Sequence, residues 1–283
     1  MLLLFVAAAI TSSTEHQRGV ELYKQQNYHE AISTLQESLK AEDPKSLEYR
    51  ESVLLIGQSY FMLSQAPKAI PWLEKVPEVN EANYMLGYAY LLAQDRENSE
   101  AAFARLFGLK PRSAEAHIVA GQMMMKREFR EDAFEEAGMA LKLNPNIPEG
   151  HFLLGEIFIY RGQLDDGVTE MKRELAINPT FAMAWYRLGD AYSRKQDWPQ
   201  AIPNLERAVW LNPSYSGPFI LLGKCYFKTG KLFDSEKILK SALTLDPKNR
   251  EAVYLLGQTL MAEGKSDEAR STLDKLRSSD RQP

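Results

Sequence analysis

From Ala182 to Pro213 the chain carries two apolar stripes, each with the spacing of an α-helix, separated by a short polar turn. Trp185, Leu188, Gly189 and Tyr192 fall within one stripe of a first helix at about 100° per residue. Ala201, Leu205 and Ala208 form the stripe of a second. Lys195-Gln196-Asp197 lies between them, where Asp197 is placed to cap the second helix and Pro199 suits its first turn. Pro213 ends that helix and starts the link to whatever follows. The segment predicts a helical hairpin with an apolar face on each arm.

The pattern recurs along the chain. Pro111, Pro145, Pro179, Pro213 and Pro247 stand 34 residues apart, and Gly87, Gly121, Gly155, Gly189, Gly223 and Gly257 keep the same step. Gly162, Gly230 and Gly264 supply the turn between the two arms at equivalent positions. Two junctions are irregular. The shorter step from Gly57 to Gly87 predicts a shortened link near Val76-Pro77, and the longer one from Gly19 to Gly57 an extended link around Glu42-Asp43-Pro44. A period of this size belongs to helix–turn–helix repeats. Such hairpins cannot bury their stripes alone, so they stack into one linear core.

The residues of this unit resemble the tetratricopeptide repeat, whose signature is W-x2-L-G-x2-Y, then A-x3-F, A and P. Ala182–Pro213 matches it at every signature position except Leu205, which stands for Phe. Leu222-Gly223, Tyr226, Leu239, Ala242 and Pro247 repeat it, with Ser235 in place of the first Ala. The resemblance extends over roughly residues 12 to 280. It implies an all-α, right-handed superhelical solenoid of about eight hairpins over residues 14–283, with a concave groove lined by the first helix of each pair. The implied role is a non-catalytic scaffold or assembly factor that binds a segment of another protein in that groove.

Counting Ala182 as position 1, positions 5, 9 and 12 of the first helix share a side away from the core stripe. Position 5 includes Tyr84, Phe152, Tyr186, Ile220 and Tyr254. Position 9 reads Tyr88, Gln122, Glu156, Asp190, Lys224 and Gln258. These eleven residues are the expected peptide-binding groove, an apolar and aromatic stripe beside a ladder of hydrogen-bonding groups. Part of that stripe is also expected to pack against the neighbouring hairpin. Position 2 is Glu at residues 51, 81, 115, 149 and 251, either an acidic rim or first-turn carboxylates meeting the helix dipole, with the dipole reading preferred. Some family members hold a peptide's C-terminal carboxylate with Lys and Asn at positions 5 and 9. Those places here are apolar, Gln or acidic, so that clamp is not expected.

Charge narrows the partner class. Lys plus Arg number 34 against 38 Asp plus Glu, a net charge of -4, with no basic cluster, which argues against nucleic acid. The single Cys225 rules out an intrachain disulfide and is expected to be a buried, inert thiol. Residues 1–13 open with the apolar run Leu2 to Ile10, too short to span a bilayer, which resembles a secretory leader although no Lys or Arg precedes it. The expectation is export, periplasmic or secreted, if that segment is a leader, and a cytoplasmic location otherwise.

No enzymatic constellation appears. Gly264-Lys265-Ser266 lacks the earlier glycine and the strand that a phosphate loop needs. His117 and His151, one repeat apart, are expected in the core rather than on a metal. No catalytic residue, cofactor or metal is expected. Glu174 falls where neighbouring units place Ala, which predicts a locally shifted helix or a partnered buried carboxylate, with Arg173 or Lys172 as candidates. Gly167 in the same unit predicts a looser hairpin. Two alternative roles share this fold. One is a recognition subunit docking a separate enzyme such as a peptidase or glycosyltransferase, and the other is end-to-end self-association through the terminal repeats.

Overall fold

The computed structural model describes residues 14–279, with side chains through residue 274. The leader-like segment 1–13 lies outside the described residues. Among the described residues there are sixteen helices and no strand, paired as eight hairpins. They fall into two compact units, divided after Ile147.

The first unit holds α1 (14–24) and α2 (Tyr28–Ser38), α3 (Leu47–Met62) and α4 (Ala66–Leu73), α5 (Asn80–Leu92) and α6 (Arg96–Leu106), and α7 (Ala114–Lys126) and α8 (Arg130–Leu143). The second holds α9 (Gly150–Tyr160) and α10 (Leu164–Ile177), α11 (Ala182–Arg194) and α12 (Trp198–Leu211), α13 (Ser216–Lys228) and α14 (Leu232–Leu245), and α15 (Arg250–Ala262) and α16 (Ser266–Ser279). Within each unit the first helix of one hairpin also touches the first helix of the next, as α3 does α5 and α11 does α13.

What joins the two arms of a hairpin is a knob set against a glycine. A Cβ placed on Gly57 would stand 2.6 Å from Leu73 Cδ2, and one on Gly189 would stand 2.6 Å from Leu205 Cγ. Gly223 meets Leu239 in the same way, Gly19 meets Leu35, and Gly257 meets Leu273. Carbon atoms do not approach so closely, so only glycine lets the second helix come down onto the first. The knob is Phe103 opposite Gly87 and Met171 opposite Gly155, so the contact tolerates several apolar shapes. Leu35, Leu73, Phe103, Met171, Leu205 and Leu239 are all fully buried.

The turn between the arms also has one geometry throughout. Gln26, Ser64, Gln94, Glu128, Gly162, Gln196, Gly230 and Gly264 all take positive φ at the same register. Glycine was expected there in three hairpins; in the other five a side chain accepts the left-handed conformation at about 1–2 kcal/mol each. Asp197 caps α12 by accepting from the Gln200 amide, as its position predicted.

Three local expectations are corrected. The short step between Gly57 and Gly87 is absorbed by α4, which has only 8 residues, rather than by its link. Pro77 disfavours helix at Val76, so α4 stops early. Gly167 does not loosen its hairpin. A Cβ there would stand 2.5 Å from Ile159 Cγ1 and 3.3 Å from the Gly155 carbonyl, so two glycines face each other and the helices pass closely. Glu174 pairs with neither Arg173 nor Lys172. Its fully buried carboxylate accepts the Glu149 amide at 3.0 Å and the Phe152 amide at 3.3 Å, at the start of α9. Glu149 itself stands in the left-handed region at φ 65, which turns its N–H toward that carboxylate. A carboxylate at a helix N-terminus satisfies free amides and meets the favourable end of the dipole.

His117 is buried and His151 half-buried, and each has a partner that lies one repeat from the other's. His117 Nδ1 and Glu136 Oε2 share a hydrogen bond of 2.6 Å, as do His151 Nδ1 and Glu170 Oε2. An arginine completes each pair, Arg96 at 3.2 Å from Glu136 and Arg173 at 2.6 Å from Glu170. Ser235, at the position of the signature alanine, donates to the Gly223 carbonyl at 2.9 Å and is fully buried.

Two glycines give opposite expectations for one substitution. Gly189→Ala should destabilise the protein by about 1–3 kcal/mol, because the added methyl collides with Leu205. Gly138→Ala, on an open face of α8 with nothing within 4 Å, should stabilise it by about 0.5–1 kcal/mol. Urea denaturation followed by circular dichroism measures both, and equal effects would refute the knob-on-glycine account. Glu174→Ala should cost about 2 kcal/mol by stripping the acceptor from two backbone amides at the start of α9. Hydrogen exchange should then accelerate at the Glu149 and Phe152 amides and not in α15.

Candidate functional site

In the second unit α11 and α13 are in contact as consecutive first helices, and positions 5, 9 and 12 of α11 open onto one space with positions 5 and 9 of α13. That space is a cavity of about 830 Å³. Tyr186, Asp190 and Ser193 of α11 and Ile220, Leu221 and Lys224 of α13 form its walls. The turn residue Gln196 and Trp198 at the start of α12 close one side, and Tyr215 from the link and Asn249 and Glu251 at the start of α15 close others. Arg194 and Lys228 stand at the ends of their helices.

The cavity exists partly because two of its residues are small. Position 12 is Phe, Leu, Met or Ile in most hairpins but Ser193 in α11. Gly217 sits under the Tyr215 ring, where a Cβ would come within 2.8 Å of Cζ. Tyr215 lines the cavity edge-on to Tyr186, with ring centroids 5.7 Å apart at 89°. Burial, and then the neighbouring Tyr215, push the Tyr186 phenol above its ordinary value, so it stays a protonated donor. Asp190 is fully engaged by Arg194, with Nε at 3.1 Å from Oδ1 and Nη2 at 3.0 Å from Oδ2. Among the described residues Lys224 and Lys228 carry no ion pair, and Lys228 lies 5.9 Å from the centre of the Phe227 ring.

Tyr186, Asp190, Ile220 and Lys224 thus line one cavity. The other expected groove residues are placed differently. Phe152 is buried edge-on against Phe181, with centroids 4.8 Å apart. Glu156 is held by Arg187, whose Nε lies 2.7 Å from Oε1. Burial alone would lower the Arg187 pKa, but the Glu156 charge and hydrogen bond outweigh it and leave the guanidinium raised. Tyr254 is exposed and accepts from Gln258 Nε2 at 2.9 Å.

In the first unit Tyr88 is buried and donates to the Met123 carbonyl at 2.9 Å; burial, and then Tyr84, push its phenol up to about 12. Tyr84 is half-buried and packs edge-on to Tyr88 at 5.1 Å, while Gln122, also half-buried, lies one repeat along on α7. Exposed Arg127 stacks 4.3 Å from the Tyr88 ring centre.

Of the position-2 glutamates, Glu81, Glu115 and Glu251 do lie in first turns. Glu51 does not, because α3 starts a turn earlier, at Leu47 with its Ser46 cap. Arg194, Tyr215 and Lys228 were not among the expected site residues. Arg194 and Lys228 lie beyond the repeat positions read as groove, and Tyr215 lies in a link, which a helix register does not describe.

The cavity presents two aromatic rings and a few charged side chains. Among the described residues no group of three or more His, Cys, Asp or Glu is placed to hold a metal ion. Cys225 is buried, and burial pushes its thiol up.

Comparison with known proteins places the fold. Family models described as tetratricopeptide repeat match residues 16–83, 80–113, 182–215, 218–249 and 234–283. No curated protein matches the chain. Among solved structures, the crystal structure of MamA is 25% identical with a TM-score of 0.51, over 55% of this chain and 91% of that one. MamA from Desulfovibrio magneticus RS-1, from residue 41 to its end, is 23% identical with a TM-score of 0.55, over 59% and 95%. YrrB, reported as a TPR protein with an unusual peptide-binding site, is 20% identical with a TM-score of 0.53, over 62% and 91%. The repeating glycine step, the knobs set against most of those glycines and the repeat matches along the chain are one finding: this protein belongs to the tetratricopeptide repeat family.

Proposed function

We propose that this protein is a non-catalytic interaction scaffold, and that it holds a segment of a partner protein in the cavity between α11 and α13. The observation that carries the proposal is the cavity itself, about 830 Å³ in volume and furnished by three successive hairpins. A site of that size takes several side chains of a peptide rather than a single ion. Tyr186 and Tyr215 offer apolar ring faces with polar tips, the side-chain type that dominates binding energy in protein recognition. Their mutual edge-to-face contact and the glycine beneath Tyr215 fix both rings before a ligand arrives. Preorganisation of this kind reduces the ordering cost of binding. Lys224 and the Tyr186 phenol supply donors that orient the bound chain.

Tyr186→Ala should weaken partner binding by at least about tenfold, on the scale of a central aromatic anchor. The full chain and this variant are used as baits in source-cell extract, with recovered proteins identified by mass spectrometry and affinities then measured by calorimetry. A partner kept by the unsubstituted chain and lost by the variant, with helical content unchanged, supports the cavity as the site. Equal recovery by both baits would sink the proposal.

A further inference from the structure

We infer that the cavity between α11 and α13 selects an acidic side chain of the partner segment, seated at Lys224 and Lys228, with an adjacent aromatic or large apolar side chain against Tyr186 and Tyr215. The inference rests on the reading of that cavity as a peptide site and adds the chemistry it selects.

A charge census of the walls leads there. Five charged residues line the cavity: Asp190, Glu251, Arg194, Lys224 and Lys228. Asp190 and Arg194 neutralise each other through two contacts, at 3.1 and 3.0 Å. Glu251 lies in the first turn of α15, where free amides and the positive end of the helix dipole already favour a carboxylate. Lys224 and Lys228 remain. They stand one turn apart on α13, the spacing at which like charges repel, and neither has an ion pair among the described residues. A bound carboxylate would convert that repulsion into two attractions.

The surroundings strengthen the contact. Lys224 is only half-exposed, and the Tyr186 phenol nearby keeps its proton and can donate to the same anion. Charge-assisted hydrogen bonds gain when water is excluded around them. A basic ligand side chain would face two lysines and find only the exposed Glu251. An isolated acid would leave the rings of Tyr186 and Tyr215 unused, so the fit is to an acid with an aromatic or apolar neighbour.

The test uses the full chain and a displayed library of random peptides. Enriched sequences are synthesised as C-terminal amides and measured by fluorescence anisotropy. The expected consensus places Asp or Glu beside an aromatic or large apolar residue. Exchanging that acid for its amide should weaken binding about tenfold or more, as should Lys224→Gln with Lys228→Gln. Once the lysines are gone, removing the acid should cost little further, because both changes break one interaction.

Enrichment of basic or uncharged peptides, or an acid effect that persists without the two lysines, overturns the inference. So does binding that requires a free C-terminal carboxylate. If such peptides still fail to bind Tyr186→Ala, the cavity remains the peptide site and only the acidic selection is lost. If nothing is enriched, or the enriched peptides bind Tyr186→Ala unchanged, the peptide-site reading falls and this inference with it.

Discussion

Everything in this protein hangs on how closely the two helices of a hairpin can approach. In seven of the eight hairpins a glycine in the first helix and the knob sixteen residues later set that distance, as Gly189 with Leu205 and Gly223 with Leu239 show. A side chain in place of the glycine would wedge the arms apart. The apolar stripes would then no longer mesh with the next hairpin, since packed interiors do not absorb a displaced methyl cheaply. Because the contact recurs at one register, it also fixes which side of each first helix is turned away from its own partner. Positions 5, 9 and 12 become a wall by default.

The protein varies around that constraint by exchanging one local solution for another of similar size. In α9 and α10 the knob is the flexible Met171, and a second glycine, Gly167, opposes Gly155, with Ile159 filling the space above it. The alanine expected further along α10 is Glu174, whose carboxylate reaches the open amides of α9. Those amides need an acceptor because Glu149, not Ser, Asp or Asn, precedes the helix and makes no side-chain cap. The cap is therefore supplied from across the hairpin. Glu136 and Glu170 answer the two histidines in the same spirit, with one carboxylate oxygen to the ring and the other to an arginine. Glu136 and Glu170 are each a member of a small closed set of charged and polar partners.

The sequence announces the period, the hairpin and the turn, because each repeats and each rests on steric rules local to a few residues. Asp197 as a cap, Gly162 as a turn and the buried Cys225 are legible for that reason. Partners across helices are less so. Glu174 stands out as a misfit at its position, yet nothing in the order of residues says that its acceptor oxygens meet backbone amides twenty-odd positions earlier. The groove divides in the same way. A helix register identifies the side on which Phe152, Glu156 and Tyr186 lie, but whether a neighbour consumes them depends on that neighbour's side chains. Phe181 takes up Phe152 and Arg187 takes up Glu156, and Tyr186 is left lining open space.

That remainder explains why a near-regular array has a local site at all. In a strict repeat every wall position would be filled alike, and no segment of the wall would differ from another. In the cavity between α11 and α13, Ser193 stands where most hairpins have a bulky position-12 residue, and Gly217 leaves room for the Tyr215 ring beside it. Neither change touches the glycine and knob of its hairpin, so the stack keeps its packing while the wall changes shape and charge. Separation of this kind lets a repeat fold acquire specificity one hairpin at a time. The residues of the proposed site, Tyr186, Ser193, Tyr215, Lys224 and Lys228, are then distinct from the glycine and knob that hold their hairpins together.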